Sequence, residues 1–181
     1  MQILGVVGSP RRGGNTEILV DEILEGATEA GAEIEKIILD ALDIRPCKGC
    51  FACSKTHECV QDDDMKMVIV KMQESQAWVL GTPIYWWGPS AQFKAFLDRW
   101  VSIPRTLFRG KKTILTIPCG GGSESYARHT VDMLDDILSY LGMEHFATIL
   151  APGFGKRGEV RSAPDILSAA RQAGNDIIKK I

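Results

Sequence analysis

The chain has little imbalance of charge. Its 181 residues hold 21 lysines and arginines against 23 aspartates and glutamates, a formal net charge of −2. That excludes the broad basic field needed for nucleic acid or an acidic membrane surface. Long apolar runs are missing too: none reaches the roughly 18 residues that read as a bilayer span. The opening "MQILGVVGSP" is short and has no basic residue ahead of its apolar stretch, unlike a secretory leader. A cytoplasmic protein with no membrane or nucleic-acid partner is expected. No repeat, low-complexity tract or linker divides the chain, so one domain over 1–181 is expected. Histidine is scarce, with 3 residues, and no catalytic acid or base stands out. His129 and His145 fall in helix and strand patterns, where packing or surface roles are expected. Two nucleotide signatures are absent. Gly8 and Gly13 have the separation of a P-loop, but Gly14-Asn15 stands where Lys-Ser/Thr is required, and no G-x-G-x-x-G occurs.

What is present is an alternation. Apolar runs at 2–7, 33–40, 77–83, 112–119 and 144–151 read as strands. Between and after them, helical spacing is seen in Ile18, Leu19, Ile23 and Leu24, over 62–75 and 90–100, from Val131 to Leu141, and over 163–180. Five strands alternating with helices predict an α/β fold with a parallel sheet covered on both faces. Right-handed crossovers leave few arrangements, and the flavodoxin-like three-layer sandwich, order 2-1-3-4-5, suits five strands. The one long irregular stretch, about 41–61, predicts a functional loop.

In such sheets ligands bind beyond the carboxyl ends of the strands. "GSPRRGGNT" (8–16) opens a helix, with Ser9, Asn15 and Thr16 as hydrogen-bonding groups, Arg11 as a cation, and Gly13 and Gly14 for close approach. It reads as a phosphate cradle. "TPIYWWGPS" (82–90) is stiffened by Pro83 and Pro89 and clusters Tyr85, Trp86 and Trp87. Three neighbouring aromatics in a loop cannot all point inward, which predicts a planar ligand or an interface. "CGGGSES" (119–125) places consecutive glycines after a strand, where backbone N–H groups can meet a polar ring edge. Trp100, Ile103, Leu107 and Phe108 in the 100–110 segment read either as an oligomer interface or as core packing.

The loop at 8–16 together with "PIYWWGPSAQFKAFLDR" resembles the NAD(P)H-dependent FMN reductase group of flavodoxin-like proteins, over roughly residues 1 to 150. The resemblance implies an FMN phosphate at Ser9, Arg11, Asn15 and Thr16. It implies an isoalloxazine lined by Pro83, Ile84, Tyr85 and Trp86, and a ring edge met by Gly120, Gly121 and Gly122. It also implies a homodimer or homotetramer, with NAD(P)H or a ferredoxin as electron donor.

Cysteine is plentiful in one place. Cys47, Cys50, Cys53 and Cys59 have the spacing C-x2-C-x2-C-x5-C, while Cys119 stands alone. The first three resemble the compact ferredoxin run, though Val60 follows the last cysteine where that run has proline. Zinc sites more often use two separated C-x2-C knuckles. FMN loops with this run, and the trailing "DDDM" (62–65), resemble the iron–sulfur flavoproteins. The resemblance implies a [4Fe–4S] cluster on Cys47, Cys50, Cys53 and Cys59. Redox-active thiols, or zinc with His57 as a substitute ligand, stay open. The function expected is electron transfer between cluster, FMN and a small acceptor or redox partner. The alternatives are a cluster-free FMN/quinone reductase and a non-enzymatic electron carrier. Cys119 is expected to be a buried, inert thiol beside the third loop.

Overall fold

A computed structural model describes residues 1–181. Five parallel strands form one sheet: β1 (Gln2–Val7), β2 (Glu33–Ile38), β3 (Ala77–Gly81), β4 (Lys112–Cys119) and β5 (Glu144–Pro152), in the order β2-β1-β3-β4-β5. The flavodoxin-like expectation holds. The three central strands are apolar almost throughout because both of their faces are covered, and they are buried along nearly their whole length. The edge strands β2 and β5 alternate more and are half exposed.

Six α-helices and five short 3-10 turns complete the chain, the α-helices being α1 (Asn15–Glu29), α2 (Cys53–Thr56), α3 (Met65–Glu74), α4 (Ala91–Asp98), α5 (Arg128–Leu141) and α6 (Pro164–Ile178). Alternate strand residues point to opposite faces, so two cores result. On one face Ile3, Val7 and Val79 meet Leu19 and Ile23 of α1 and Ile177 of α6. On the other, Leu4, Val6, Trp78 and Leu80 meet α3, α4 and α5 through Val68, Phe93, Phe96 and Leu134. Helices α1 and α6 touch backbone to backbone. A Cβ on Gly174 would lie 1.8 Å from the Ile23 carbonyl oxygen, so only glycine permits this approach.

The 100–110 segment resolves as core. Trp100 packs edge-on against Trp78 and Phe96, and Phe108 is buried beside both tryptophans. Of this stretch's large apolar side chains, only Val101 is exposed. The interface reading of Trp100, Ile103 and Phe108 is therefore corrected: an aromatic-rich helix end fills the space beneath β3 and β4.

Sequence reading drew strand β3 and helix α3 longer than they are. Thr82 and Pro83 leave β3 for a loop, and the acidic run Asp62–Asp64 precedes α3 instead of forming its first turn. Those carboxylates have other partners, described below.

Candidate functional site

Two sites lie at the carboxyl end of the sheet. The first is an open crevice of about 220 Å³ between the loops that follow β1, β3, β4 and β5. Its walls take shape from the backbone. The Gly8 N–H donates to the Gly81 carbonyl at 2.7 Å, the Thr82 N–H to Thr116 at 3.1 Å, and the Ile84 N–H to Pro118 at 3.3 Å. The loop after β3 is thus zipped along β4, which sets Ile84 and Tyr85 beside Pro118 and Cys119. The Ser90 hydroxyl donates to the Gly8 carbonyl and accepts from the Phe93 N–H at 3.2 Å, capping α4 and tying it to the first loop.

The first loop turns back on itself. The Arg11 N–H donates to the Ser9 hydroxyl at 3.2 Å, and the Gly14 N–H to the Arg11 carbonyl at 3.0 Å. Helix α1 starts with no side-chain cap. The N–H groups of Asn15, Thr16 and Glu17 therefore have no acceptor within the helix, and Asn15 and Thr16 line the crevice, where an anion is favoured. Glu17 does not fill that position. Its carboxylate accepts from the Gly13 N–H at 2.7 Å and pairs with Lys36 at 3.2 Å. Burial would raise its pKa, but those partners hold it below the usual carboxylate value.

Of the residues expected at this site, Ser9, Arg11, Asn15, Thr16, Pro83, Ile84, Tyr85 and Gly120 line the crevice together. Trp86, Gly121 and Gly122 do not. Trp86 is 91% exposed at the tip of a two-residue turn, where the Tyr85 and Gly88 N–H groups donate to each other's carbonyls at 2.9 and 3.1 Å. Both turn residues have positive φ, 51° for Trp86 and 63° for Trp87, a conformation bulky residues rarely adopt. Trp87 leans on Tyr126, with ring centroids 6.1 Å apart. Gly121 makes room for that Tyr126 ring, which would lie 2.4 Å from a Cβ there.

Asn15 has a different part from the one expected. Its amide donates to the carbonyls of Phe154 and Lys156, at 2.8 and 2.9 Å, and its oxygen accepts from the Val160 N–H at 3.1 Å. The side chain is engaged in fastening the loop after β5, and both of its N–H donors are taken. Arg11 reaches the same loop, donating to the Gly155 carbonyl at 3.0 Å. Phe154 and Gly155 complete the lining. Sequence reasoning missed them, although "PGFGKRG" (152–158) is a fourth glycine-bearing loop after a strand. Cys119 is buried, and burial raises its thiol pKa, as fits an inert wall residue.

The second site is the cysteine loop. Its two ends are laced into a neck. The Asp43 N–H donates to the Asp64 carboxylate at 2.8 Å, the Arg45 N–H to Asp63 at 3.2 Å, and the Gln61 amide to the Pro46 carbonyl at 3.1 Å. Beyond the neck, Cys47, Cys50, Cys53 and Cys59 all line one small pocket, with Phe51, Val60 and Val101 as apolar walls and Arg99 on its inner side. Cys47 and Cys50 are exposed, Cys53 and Cys59 half-buried. No three cysteine, histidine or carboxylate side chains in the chain converge closely enough to hold a single metal ion. His57 ends α2 in a left-handed conformation and is exposed.

Arg99 forms a buried ion pair with Asp63, at 2.6 and 3.2 Å, and it also donates to the Arg45 carbonyl at 2.9 Å. One side chain thus clasps both sides of the neck. Burial would raise the Asp63 pKa, but Arg99 and the Arg45 N–H together hold it below the usual carboxylate value.

Five parallel strands in this order, with a crevice at the switch point, define a flavodoxin-like α/β protein. The comparisons agree with that class. The NADPH-dependent FMN reductase family model matches residues 1–154. An iron-sulfur flavoprotein of Methanosarcina thermophila is 33% identical over 144 residues, 79% of this chain and 75% of that protein. One from Archaeoglobus fulgidus is 32% identical, covering 98% of this chain and 79% of its own length. The chain belongs to the NADPH-dependent FMN reductase family, in its iron–sulfur flavoprotein branch, and is an FMN-dependent oxidoreductase. Among solved structures, the NAD(P)H:quinone oxidoreductase from Methanothermobacter marburgensis superposes with a TM-score of 0.75 at 19% identity, covering 98% of each chain. An FMN-dependent NADH-azoreductase from Bacillus anthracis in complex with FMN also gives 0.75, at 13% identity, with 98% of this chain and 100% of that one covered. At these identities the likeness is one of fold. No helix is long and apolar enough to cross a membrane.

Proposed function

We propose that this protein passes electrons between a [4Fe–4S] cluster on Cys47, Cys50, Cys53 and Cys59, an FMN in the crevice, and a small acceptor or redox partner. The observation that carries this reading is that the four thiols, and no other cysteine, line one pocket. Four thiolates are the ligand set of such a cluster, and each binds its own iron, so they need not converge on one ion. The pocket is small, about 60 Å³. The loop beyond the neck, not the sheet, would give on loading.

FMN, when bound, supplies both two-electron and one-electron chemistry. This chain supplies binding and orientation. The Ser9 and Thr16 hydroxyls, the first-turn N–H groups and Arg11 suit a phosphate. Pro83, Ile84, Tyr85 and Cys119 line the crevice and would wall the ring, and Gly120 and Gly155, with no side chains, would leave its edge open to backbone groups. Exposed Trp86, Tyr126 and Val101 favour a homo-oligomer in which a second copy covers the crevice mouth. NAD(P)H or a ferredoxin is the proposed donor.

An anaerobic absorption spectrum with iron, acid-labile sulfide and zinc assays tests this. Flavin bands over a broad shoulder near ~400 nm, with about four iron and four sulfide per chain, are expected. Flavin bands without iron after reconstitution would leave a simple FMN reductase with free thiols. Zinc would make the loop a structural site.

A further inference from the structure

Arg99 is charged, buried and incompletely partnered. Its side chain is 1% exposed, and its partner Asp63 is 0% exposed. Nη1 and Nη2 serve Asp63 and the Arg45 carbonyl. Nε is equally buried and has no acceptor. A buried donor left unmade costs about 1–3 kcal/mol, and clasping the neck does not account for it. Arg99 is among the residues that line the cysteine pocket, whereas Asp63 is not. Cys59 lines this pocket and an adjoining one together with Arg99, so the buried cation and that sulfur share two walls.

We propose that Arg99 is a positioning residue that sets the reduction potential of the cluster by presenting its guanidinium to the Cys59 sulfur. The inference rests on the cluster reading above. One-electron reduction, by dithionite or by reduced flavin, adds one negative charge to the iron–thiolate unit and breaks no bond. A fixed cation in a dry wall stabilises the reduced form more than the oxidised one, and an N–H···S bond acts in the same direction. A neck clasp alone predicts something else: loss of stability or of iron, with an unchanged potential in every molecule that keeps its cluster.

The test compares the wild-type protein with Arg99→Lys and Arg99→Gln after anaerobic reconstitution. Iron and sulfide are counted first. Dithionite titration followed by EPR then reads the cluster, with the flavin potential as internal reference. Arg99→Gln is expected to lower the cluster's reduction equilibrium about tenfold, equivalent to about 59 mV for one electron, with the flavin unmoved and Arg99→Lys in between. Arg99→Gln leaves Asp63 buried without its cation and can fail to fold. A second reading therefore uses wild-type protein carrying 15N-guanidino-arginine, whose reduced cluster should show a 15N hyperfine coupling in pulsed EPR. Clusters at full iron with unchanged potentials, or with no coupling, overturn this inference alone. No iron in the reconstituted wild type overturns both it and the cluster reading.

Discussion

The crevice is lined by the start of α1 and by the loops that follow four of the five strands. At the cysteine pocket the donors are side chains, on a loop without regular structure apart from the four residues of α2. The crevice is held by strand ends that the sheet must place in any case. The pocket is held at its neck by Asp63, Arg99 and a few hydrogen bonds, and it rests against Val101 and Ser102. Topology builds the first and side-chain chemistry builds the second, so the two should respond differently to damage.

The widest separation is expected from Cys50→Ser. Iron and sulfide should be abolished while FMN binding, followed by quenching of flavin fluorescence, stays within twofold, on the order of the RT scale of binding energy. Joint loss of both cofactors would show that the two regions are one unit. Asp63→Asn comes next. Stranding a buried guanidinium should cost about 3–5 kcal/mol, read as a lower urea midpoint at unchanged slope. The native pKa of Asp63 lies below its unfolded value. Its contribution is therefore fully present above the unfolded carboxylate pKa of about 3.9 and is lost as pH falls through the native value. The gap between variant and wild type should close in acid below about pH 4, and a pH-independent gap would count against this ion pair.

Asn15→Ala sharpens the comparison from the other side. It removes three hydrogen bonds that fasten residues 154–160, at about 1 kcal/mol each. A loss of about 2–3 kcal/mol and weaker FMN binding are expected, with iron content unchanged. The smallest effect is expected where Trp86-Trp87 becomes Asn-Gly. That pair suits positive φ at both turn positions, so the protein should gain about 1 kcal/mol in thermal unfolding. A loss would show that the indoles pack more tightly than their exposure indicates.

The strand alternation, the sheet order and the first three loops were legible because apolar runs and glycine punctuation report local structure directly. The cysteine spacing was legible for the same reason. Asn15 shows the limit. Its residue type and position suit a phosphate, yet its amide is spent on a loop that joins it only through tertiary folding. Trp86 shows another: a turn with positive φ at a bulky residue leaves no local signal. Arg99 and Asp63 lie 36 residues apart, and nothing in either segment indicates that they meet.

The neck makes the cysteine segment an exchangeable cassette. Residues 43–46 and 61–64 are joined to one another whatever lies between them. Lengthening a closed loop is a minor expense, about 0.6 kcal/mol per doubling. Residues 47–60 could therefore shorten, lengthen or trade their thiols for other side chains without disturbing the sheet. The same scaffold can in this way be inherited with a second redox centre or without one.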